Sequence, residues 1–455
     1  MFSFRPDRAR VAHEVGATVR LALPLIAAQL AAVGPNFVDA VLAGHLSAHV
    51  QAAVTTAVSI WALALVSGLG MMMAVPPSVA QLDGAGRRHE VGAVFVQALW
   101  LAWAMGIVMW FLVRNATPML DWIGVVPSLR TDVMHFLHAI SWAGPALTSY
   151  FALRGLSEGL SMTRPSMYFS FGGLLVLAPL GYVLMYGKFG LPALGSLGSG
   201  IATATVLWLE MAGFALYVAK HPAYRDLGLR EGLAWPKPKM LLELLKIGGP
   251  MAITLLAEGG LFVAVALAIA TLGETVVASH QVALSVATVA FMVPLGLSMA
   301  ITVRVGNAVG RNDARGVRYA GLCGIGLALC IQTVSSSLML GIPHLLARMY
   351  THDAAVIALA AQLMLLAGFF QFSDGIQVTS NGALRGLKDT RVPMVITLFA
   401  YWGVGMPVGW WLAFRHGMGA RGMWMGLIAG LTMAAILLFT RFCRSAFRER
   451  WQRPV

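Results

Sequence analysis

The sequence has few charged residues and few cysteines. Of its 455 residues 58% are hydrophobic and only 11% are charged, and the mean hydropathy is +0.76. Soluble globular domains contain about 25% charged residues, so this composition excludes that class. The three cysteines, Cys323, Cys330 and Cys443, lack the spacing of a disulfide framework or of a zinc site. We therefore expect neither.

Sequence signatures of catalysis are also missing. There is no Gly-Lys-Ser/Thr motif of an ATPase, and no nucleophile, metal or cofactor motif. His45, His49, His344, His352 and His416 fall at or near predicted loops and form no ligand array. We expect no enzyme activity and no cofactor.

Apolar runs of about 20 residues recur along the chain, and this is the length that a helix needs to cross a bilayer. The first run is long and is expected to be retained, not cleaved as a signal peptide. We predict an all-α integral membrane protein with twelve spans, at 21–44, 51–79, 91–113, 133–153, 166–187, 194–219, 247–272, 276–303, 317–343, 355–383, 392–414 and 420–440.

The sequence is internally duplicated. Residues 152–156, Ala-Leu-Arg-Gly-Leu, return at 383–387, which is an offset of 231. Residues 20–24 match 246–250, and residues 79–84 match 305–310, at an offset of 226. Six spans per copy give both copies the same orientation, with a pseudo-twofold axis along the membrane normal. Such a duplication is typical of a transporter whose site lies between the halves.

Two six-span lobes are predicted, at 1–220 and 247–455, the second ending in a basic cytoplasmic tail. Residues 221–246 are rich in proline, glycine and basic residues and are predicted to form a cytoplasmic linker.

The basic residues are distributed unevenly between the two sides of the membrane. Of 32 Lys and Arg residues, 26 fall on the side of the termini, which predicts cytoplasmic termini in an inner-membrane protein. The net charge of +13 thus reports topology and contact with the lipid bilayer, and no nucleic-acid binding is expected. The six on the other side are Arg114, Arg130, Lys188, Arg348, Arg415 and Arg421.

Carboxylates inside a span are costly and are functional candidates. Glu258 and Asp374 lie about 18 and 16 Å from the cytoplasmic ends of their helices, so they can share one depth. The repeat partners of these acids are alanines, Ala32 and Ala143. Residues that maintain the fold should recur in both copies. Because these acids do not recur, a functional role is favoured for them. The other two acids within spans are Asp39 and Glu210.

An acid pair in a low dielectric can share a proton or bind Na⁺, and it then titrates as a unit. A cationic substrate that displaces the ion would give antiport. The alternative, a protonated acid that links helices, applies most to Glu210. Pro35, four residues before Asp39, predicts a helix kink. Phe370, one turn before Asp374, can form a cation–π wall, although lipid-facing aromatics are the commoner case.

Five stretches, in order, resemble the multidrug and toxic compound extrusion (MATE) family, in its NorM-like branch. They are Phe37-Val38-Asp39 with Ala43-Gly44, residues 79–87, residues 186–190, His280-Gln281-Val282-Ala283-Leu284, and residues 383–389. The resemblance covers essentially the whole chain.

The resemblance implies two six-helix lobes around a V-shaped cavity. It also implies efflux of amphipathic cationic drugs and dyes in exchange for Na⁺ or H⁺ by alternating access, and we expect a monomer. The family's coupling acids fall on Asp39, Glu258 and Asp374. The substrate contacts expected are Asp39, Asp374, Gln281, Phe291 and Phe370.

The chain departs from the family pattern at three positions. Leu177 and Gly181 stand where similar proteins often carry Asn, and Phe370 stands where some carry Tyr. Asp39 then has fewer ligands, while the Glu258–Asp374 pair is intact and favours Na⁺, with H⁺ as the alternative. A second function class is a flippase for lipid-linked precursors, but its cavity should be basic, and the buried charges here are acidic.

Overall fold

In the computed structural model, residues 7–229 and 235–447 are described, and they form helices joined by loops. Arg230 of the predicted linker and the predicted basic tail beyond residue 447 lie outside these residues. The α-helices are α1 (Arg8–Leu46), α2 (Ala48–Met72), α3 (Val75–Gly84), α4 (Val91–Arg114), α5 (Thr117–Ile123), α6 (Pro127–Ser141), α7 (Gly144–Gly159), α8 (Arg164–Tyr186), α9 (Gly195–Lys220), α10 (Pro238–Ala270), α11 (Glu274–Gly310), α12 (Ala314–Gly341), α13 (Pro343–Arg348), α14 (Ala354–Gly386), α15 (Arg391–Leu398), α16 (Met406–Trp410) and α17 (Ala420–Phe447).

Eleven helical segments in the described residues are long and apolar enough to cross a membrane. The predicted span at 133–153 is not among them as a single helix, whereas each of the other eleven predicted spans overlaps one of these segments. Its residues belong to α6 and α7, which meet at a turn over Trp142 and Ala143. Pro145 follows at once and supplies no backbone N–H, so one hydrogen bond of the helix ladder is missing at this turn. The fourth crossing is therefore a broken helix.

The eleventh of the twelve crossings, called the eleventh span here, is Arg391–Arg415. It contains π-helical turns at Phe399–Gly405 and Trp411–Arg415. Wide turns of this kind are common at functional sites. The span packs closely on α17, since a methyl group added at Gly426 would lie 2.3 Å from the Cα of Gly409. Glycine is required there because two backbones approach.

The described residues divide into two compact units. Unit 1 contains residues 7–26 and 253–447, and unit 2 contains residues 27–229 and 235–252. Helices α1 and α10 are each shared between the units. The lobe limits expected from the repeat, 1–220 and 247–455, stay a prediction.

Unit 1 has one apolar core around α10, α11, α14 and α17. A second core includes residues of α1, α11 and α17. Two ion pairs tie the first helix to this unit. Arg304 donates to Glu14, and Arg10 donates to Asp313 at 2.9 Å.

Unit 2 has its own cores, and the visible part of the predicted linker packs on them. Residues Pro222–Leu227 form a short 3₁₀ turn in which Tyr224 is buried and shares a hydrogen bond of 2.8 Å with Ser157. This burial raises the pKa of Tyr224 to about 12. The start of the linker is thus docked on the helices.

Candidate functional site

The structure brings two of the predicted acids together in unit 1. Asp374 on α14 is 2% exposed, and Glu258 on α10 is half-buried. The charge of Glu258 acts on the carboxyl group of Asp374. In the described residues no basic side chain neutralises either of them. The pair is therefore a site of two carboxyl groups without a basic partner among the described residues, within membrane-spanning helices.

Tyr401 adds an oxygen beside this pair. It lies in the first π-helical turn of the eleventh span, its ring is fully buried, and it interacts electrostatically with both Glu258 and Asp374. Its hydroxyl has no hydrogen-bond partner in the described part of the chain. The sequence analysis missed Tyr401, because no local pattern separates it from the other aromatics of that span.

Three aromatic rings and a histidine form a layer one turn from the acids. Phe370 meets Phe262 edge-on at 6.3 Å between ring centroids and meets Trp424 at 5.9 Å. Trp424 in turn contacts His280 at 5.9 Å. Phe262 follows Glu258 by four residues and Phe370 precedes Asp374 by four, so the layer covers one side of the pair.

The histidine of this layer is held in one tautomer. The indole Nε1–H of Trp424 donates to Nδ1 of His280 at 3.2 Å, so in the neutral ring the proton lies on Nε2. That Nε2 is buried and has no partner among the described residues. His280 was noted in the sequence only as part of a motif, and its contact with Trp424, 144 residues away, gave no local signal.

Asp39 lies in unit 2, apart from the unit that holds the other two acids. It is 5% exposed and accepts a hydrogen bond of 2.6 Å from Ser199. The neighbouring Val38 packs on an apolar cluster that includes Leu177, the position where similar proteins often carry Asn. Helix α1 is continuous through Pro35, and the predicted kink there stays a prediction.

Glu210 belongs to a buried polar network in unit 2. Its charge acts on Arg154, which donates to Glu158 at 2.6 Å and to Gln29 at 2.7 Å. Its carboxylate covers Gly173 on α8. Unlike the acid pair, Glu210 thus has a buried guanidinium that acts on its charge, and its helix-linking interpretation stays a prediction.

The remaining predicted substrate residues lie along α11 in unit 1. Gln281 is exposed and Phe291 is half-buried, about 15 Å further along the helix. Phe370 is 4% exposed, because Phe262 and Trp424 cover its ring. The substrate roles of these residues stay predictions.

These features define a multi-pass helical membrane protein with an isolated acid pair in one of two similar halves. A family model described as MatE matches residues 24–183 and 250–411, once in each half. The chain belongs to this family, which confirms the resemblance found in the sequence.

Curated relatives match over nearly their whole length. The chain is 48% identical over 439 residues to a "Probable multidrug resistance protein NorM" of Xanthomonas campestris pv. campestris, covering 96% of each chain. It is 43% identical to the "Multidrug resistance protein PmpM" of Pseudomonas aeruginosa, with 98% of this chain and 95% of that protein covered.

Solved structures share the fold at low sequence identity. An outward-facing multidrug resistance MATE family transporter matches with a TM-score of 0.88 and 18% identity, covering 96% of this chain and 97% of that one. The eukaryotic MATE transporter AtDTX14 matches with a TM-score of 0.85 and 20% identity, covering 97% and 100%. These likenesses establish the all-helical MATE fold.

Proposed function

We propose that this chain is a multidrug efflux antiporter of the inner membrane, which exports amphipathic cations in exchange for Na⁺ by alternating access. The observation that carries the proposal is the Glu258–Asp374 pair, in which Asp374 is buried and Glu258 half-buried. No basic side chain among the described residues neutralises the pair, and it occurs only in the second half of the repeat. The names of the relatives, multidrug resistance proteins, support the substrate class.

The physical basis of exchange is competition for the same negative charge. Two carboxylates in apolar surroundings cannot both stay ionised without a nearby cation, because desolvation and mutual repulsion both disfavour the charged forms. A metal cation, a proton or an organic cation each relieves this cost. Because either the ion or the drug can neutralise the pair, binding of one releases the other.

We favour Na⁺ as the coupling ion because the acid pair is intact and the hydroxyl of Tyr401 interacts electrostatically with both acids. Na⁺ is a hard cation, and such cations take carboxylate and other oxygen ligands. The hydroxyl of Tyr401 supplies an oxygen of the kind that Phe370 lacks. Asp39, with Ser199 beside it, serves as a separate acid in unit 2 that contributes to binding of the drug or of the ion.

The first test is dye transport in proteoliposomes with an imposed Na⁺ or H⁺ gradient. Glu258→Gln and Asp374→Asn keep side-chain size and remove charge, so each should reduce gradient-driven dye transport to background at normal protein levels. Glu210→Gln is the matched control, since Glu210 lies beside Arg154, and it should keep transport. Full activity of both pair variants would exclude the pair as the coupling site.

The coupling ion is tested by varying Na⁺ at fixed pH. Na⁺ should release preloaded dye from wild-type vesicles, K⁺ should not, and Asp374→Asn should not respond. Release by a proton pulse alone, with no effect of Na⁺, would replace Na⁺ by H⁺ and leave the antiporter intact.

The substrate class is tested by comparing cationic with anionic dyes in cells that lack other efflux systems. The chain should lower accumulation of cationic dyes, because its buried acids attract them. Equal or greater export of anions would favour the flippase instead.

The proposed orientation has both termini in the cytoplasm, because 26 basic residues lie on that side of the spans. A reporter fused after Val455 should read as cytoplasmic. A periplasmic reading would contradict the two-by-six topology. Gel filtration with light scattering should give the mass of one chain if the protein is a monomer.

A further inference from the structure

A row of polar side chains follows one face of α14 from the acid pair to the arginine-rich end of the helix. Asp374, Gln377, Asn381 and Arg385 are spaced by three, four and four residues, and this spacing places them on the same helical face. The row is about 16 Å long.

The two amides in the middle of the row are buried, and their oxygens have no hydrogen-bond partner among the described residues. Gln377 is 1% exposed and Asn381 is 6% exposed, yet Oε1 of Gln377 and Oδ1 of Asn381 accept no hydrogen bond from the described residues. By contrast, Gln371 on another face of α14 accepts from Nε2 of Gln332 at 2.9 Å. A buried amide oxygen that lacks a bond is costly, and in proteins such atoms are usually satisfied by ordered water.

The amides do not join α14 to α11, the neighbouring helix. The contact with α11 uses backbone carbonyls of α14 instead, since Ser298 donates to the carbonyl of Val378 at 2.9 Å and Thr302 donates to that of Gly382 at 2.9 Å. Gly382 allows this approach, since a methyl group there would lie 2.5 Å from the carbonyl oxygen of Ser298. The two amide side chains take no part in these bonds.

The repeat shows that the amides are not needed for the fold. At the offset of 231, Gln377 and Asn381 correspond to Ala146 and Tyr150, while Arg385 corresponds to Arg154. The copy without the acid pair therefore keeps the arginine and lacks both amides. The two amides therefore occur only in the copy that carries the acid pair.

Arg385 indicates which ligand the row takes. Its guanidinium is 4% exposed and donates to Ser298 at 3.1 Å. Water bonds to both amides and guanidinium, so it suits every group from Gln377 to Arg385.

We propose that Gln377 and Asn381 hold a file of water molecules that connects Asp374 with the cytoplasmic side of the membrane. The role of this file, to hydrate and deprotonate the acid pair from the cytoplasm, rests on the proposed antiport. The water itself does not, so the two ideas fail separately.

The direct test is thiol labelling in a chain whose three native cysteines are replaced. Gln377→Cys and Asn381→Cys are made separately, and a small charged methanethiosulfonate is added to the cytoplasmic side of inside-out vesicles. Ala383→Cys is the matched control, because Ala383 lies on the same helix at similar depth, is 0% exposed and packs in an apolar core.

Both test cysteines should react at least about tenfold faster than the control, because only a hydrated thiol ionises readily. If Gln377→Cys and Asn381→Cys react no faster than the control Ala383→Cys, the proposal is overturned. The readout needs no transport activity, so labelling in a chain that fails to exchange dye for ions would refute the antiporter and keep the water file.

A second measurement uses the double variant Gln377→Leu/Asn381→Leu. If the amides hold water, the variant should melt at the wild-type temperature or above, since no protein hydrogen bond is lost, while ion-driven dye exchange slows at least about tenfold. A lower melting temperature with an unchanged exchange rate per folded protein would assign the amides to helix packing and overturn the proposal.

Discussion

Helix α14 in unit 1 and helices α6 and α7 in unit 2 are equivalent in the repeat and differ in two ways. The first is continuous over 33 residues, whereas the second is broken at Trp142 and Ala143. The first carries Asp374 and two amides, whereas alanine and tyrosine stand at the equivalent places in the second. What the two share is the motif Ala-Leu-Arg-Gly-Leu and the close approach of a glycine, Gly155 or Gly386, to a neighbouring helix.

This comparison separates the fold from the chemistry. Residues present in both halves maintain helix packing, because each half needs the same contacts. Residues present in one half only are candidates for a task that packing does not require. By this criterion we assign Arg154 and Arg385 to the fold, and we propose Asp374 with its amides for the function.

The largest effect should come from moving the acid into the other half. Ala143→Asp places a carboxyl in the apolar core of unit 2, where Ala143 is 0% exposed. We expect a loss of about 5 kcal/mol or more from overpacking and desolvation, and little folded protein in the membrane. Asp374→Ala, the reverse exchange, should fold and fail to transport. Normal melting of Ala143→Asp would break the comparison.

The two arginines should differ when replaced by methionine. Arg154→Met strands the carboxylate of Glu158, which is 3% exposed, and should cost about 3–5 kcal/mol. Arg385→Met removes the bond to the neutral hydroxyl of Ser298 along with the other contacts of Arg385, and we expect a smaller loss because Ser298 carries no charge to be stranded. Thermal melting of purified protein measures both. The double variant Arg154→Met/Glu158→Gln should recover part of the loss, and equal losses for the two arginines would contradict the prediction.

Asp39→Asn should impair dye transport only in part and to a different degree for each dye. The amide oxygen that replaces the carboxylate can still accept the bond from Ser199, so the local structure is kept while the charge is lost. Transport assays with several cationic dyes, beside Asp374→Asn, measure the difference. A complete loss for every dye would put Asp39 on a par with the pair.

The smallest effect should come from Trp424→Phe. The ring contact with Phe370 is retained, but the donor to Nδ1 of His280 is lost, which should cost about 1 kcal/mol. Melting temperature is the measure, with Trp208→Phe as a control because Trp208 donates to a backbone carbonyl at an exposed position in unit 2. A larger loss in the control would show that the aromatic layer adds no stability of its own.

The sequence predicted the membrane spans and the acid pair because both depend on local signals. Apolar run length reports a crossing, and a carboxylate in such a run is conspicuous. The sequence analysis did not predict the break at Trp142, because a hydropathy score carries no information about the missing backbone N–H of Pro145. Hydropathy also does not distinguish a π-helical turn from an α-helical one, so the π-helical turn that contains Tyr401 was not predicted.

Partners distant in sequence could not be predicted at all. The network of Glu210 depends on Arg154, and the tautomer of His280 depends on Trp424. Neither contact leaves a trace in spacing or composition. The offset between repeats did identify Asp374 as different from Ala143, since that comparison needs no three-dimensional information.

The sharing of α1 between the units has a consequence for biosynthesis. Residues 8–26 leave the ribosome well before their ion-pair partners, Arg304 for Glu14 and Asp313 for Arg10, which come 290 and 303 residues later. At about 5–20 residues per second, translation of that interval takes about 15–60 s. During this time the first segment of the nascent chain has no docking site, and unit 1 can close only after most of the protein has been inserted into the membrane.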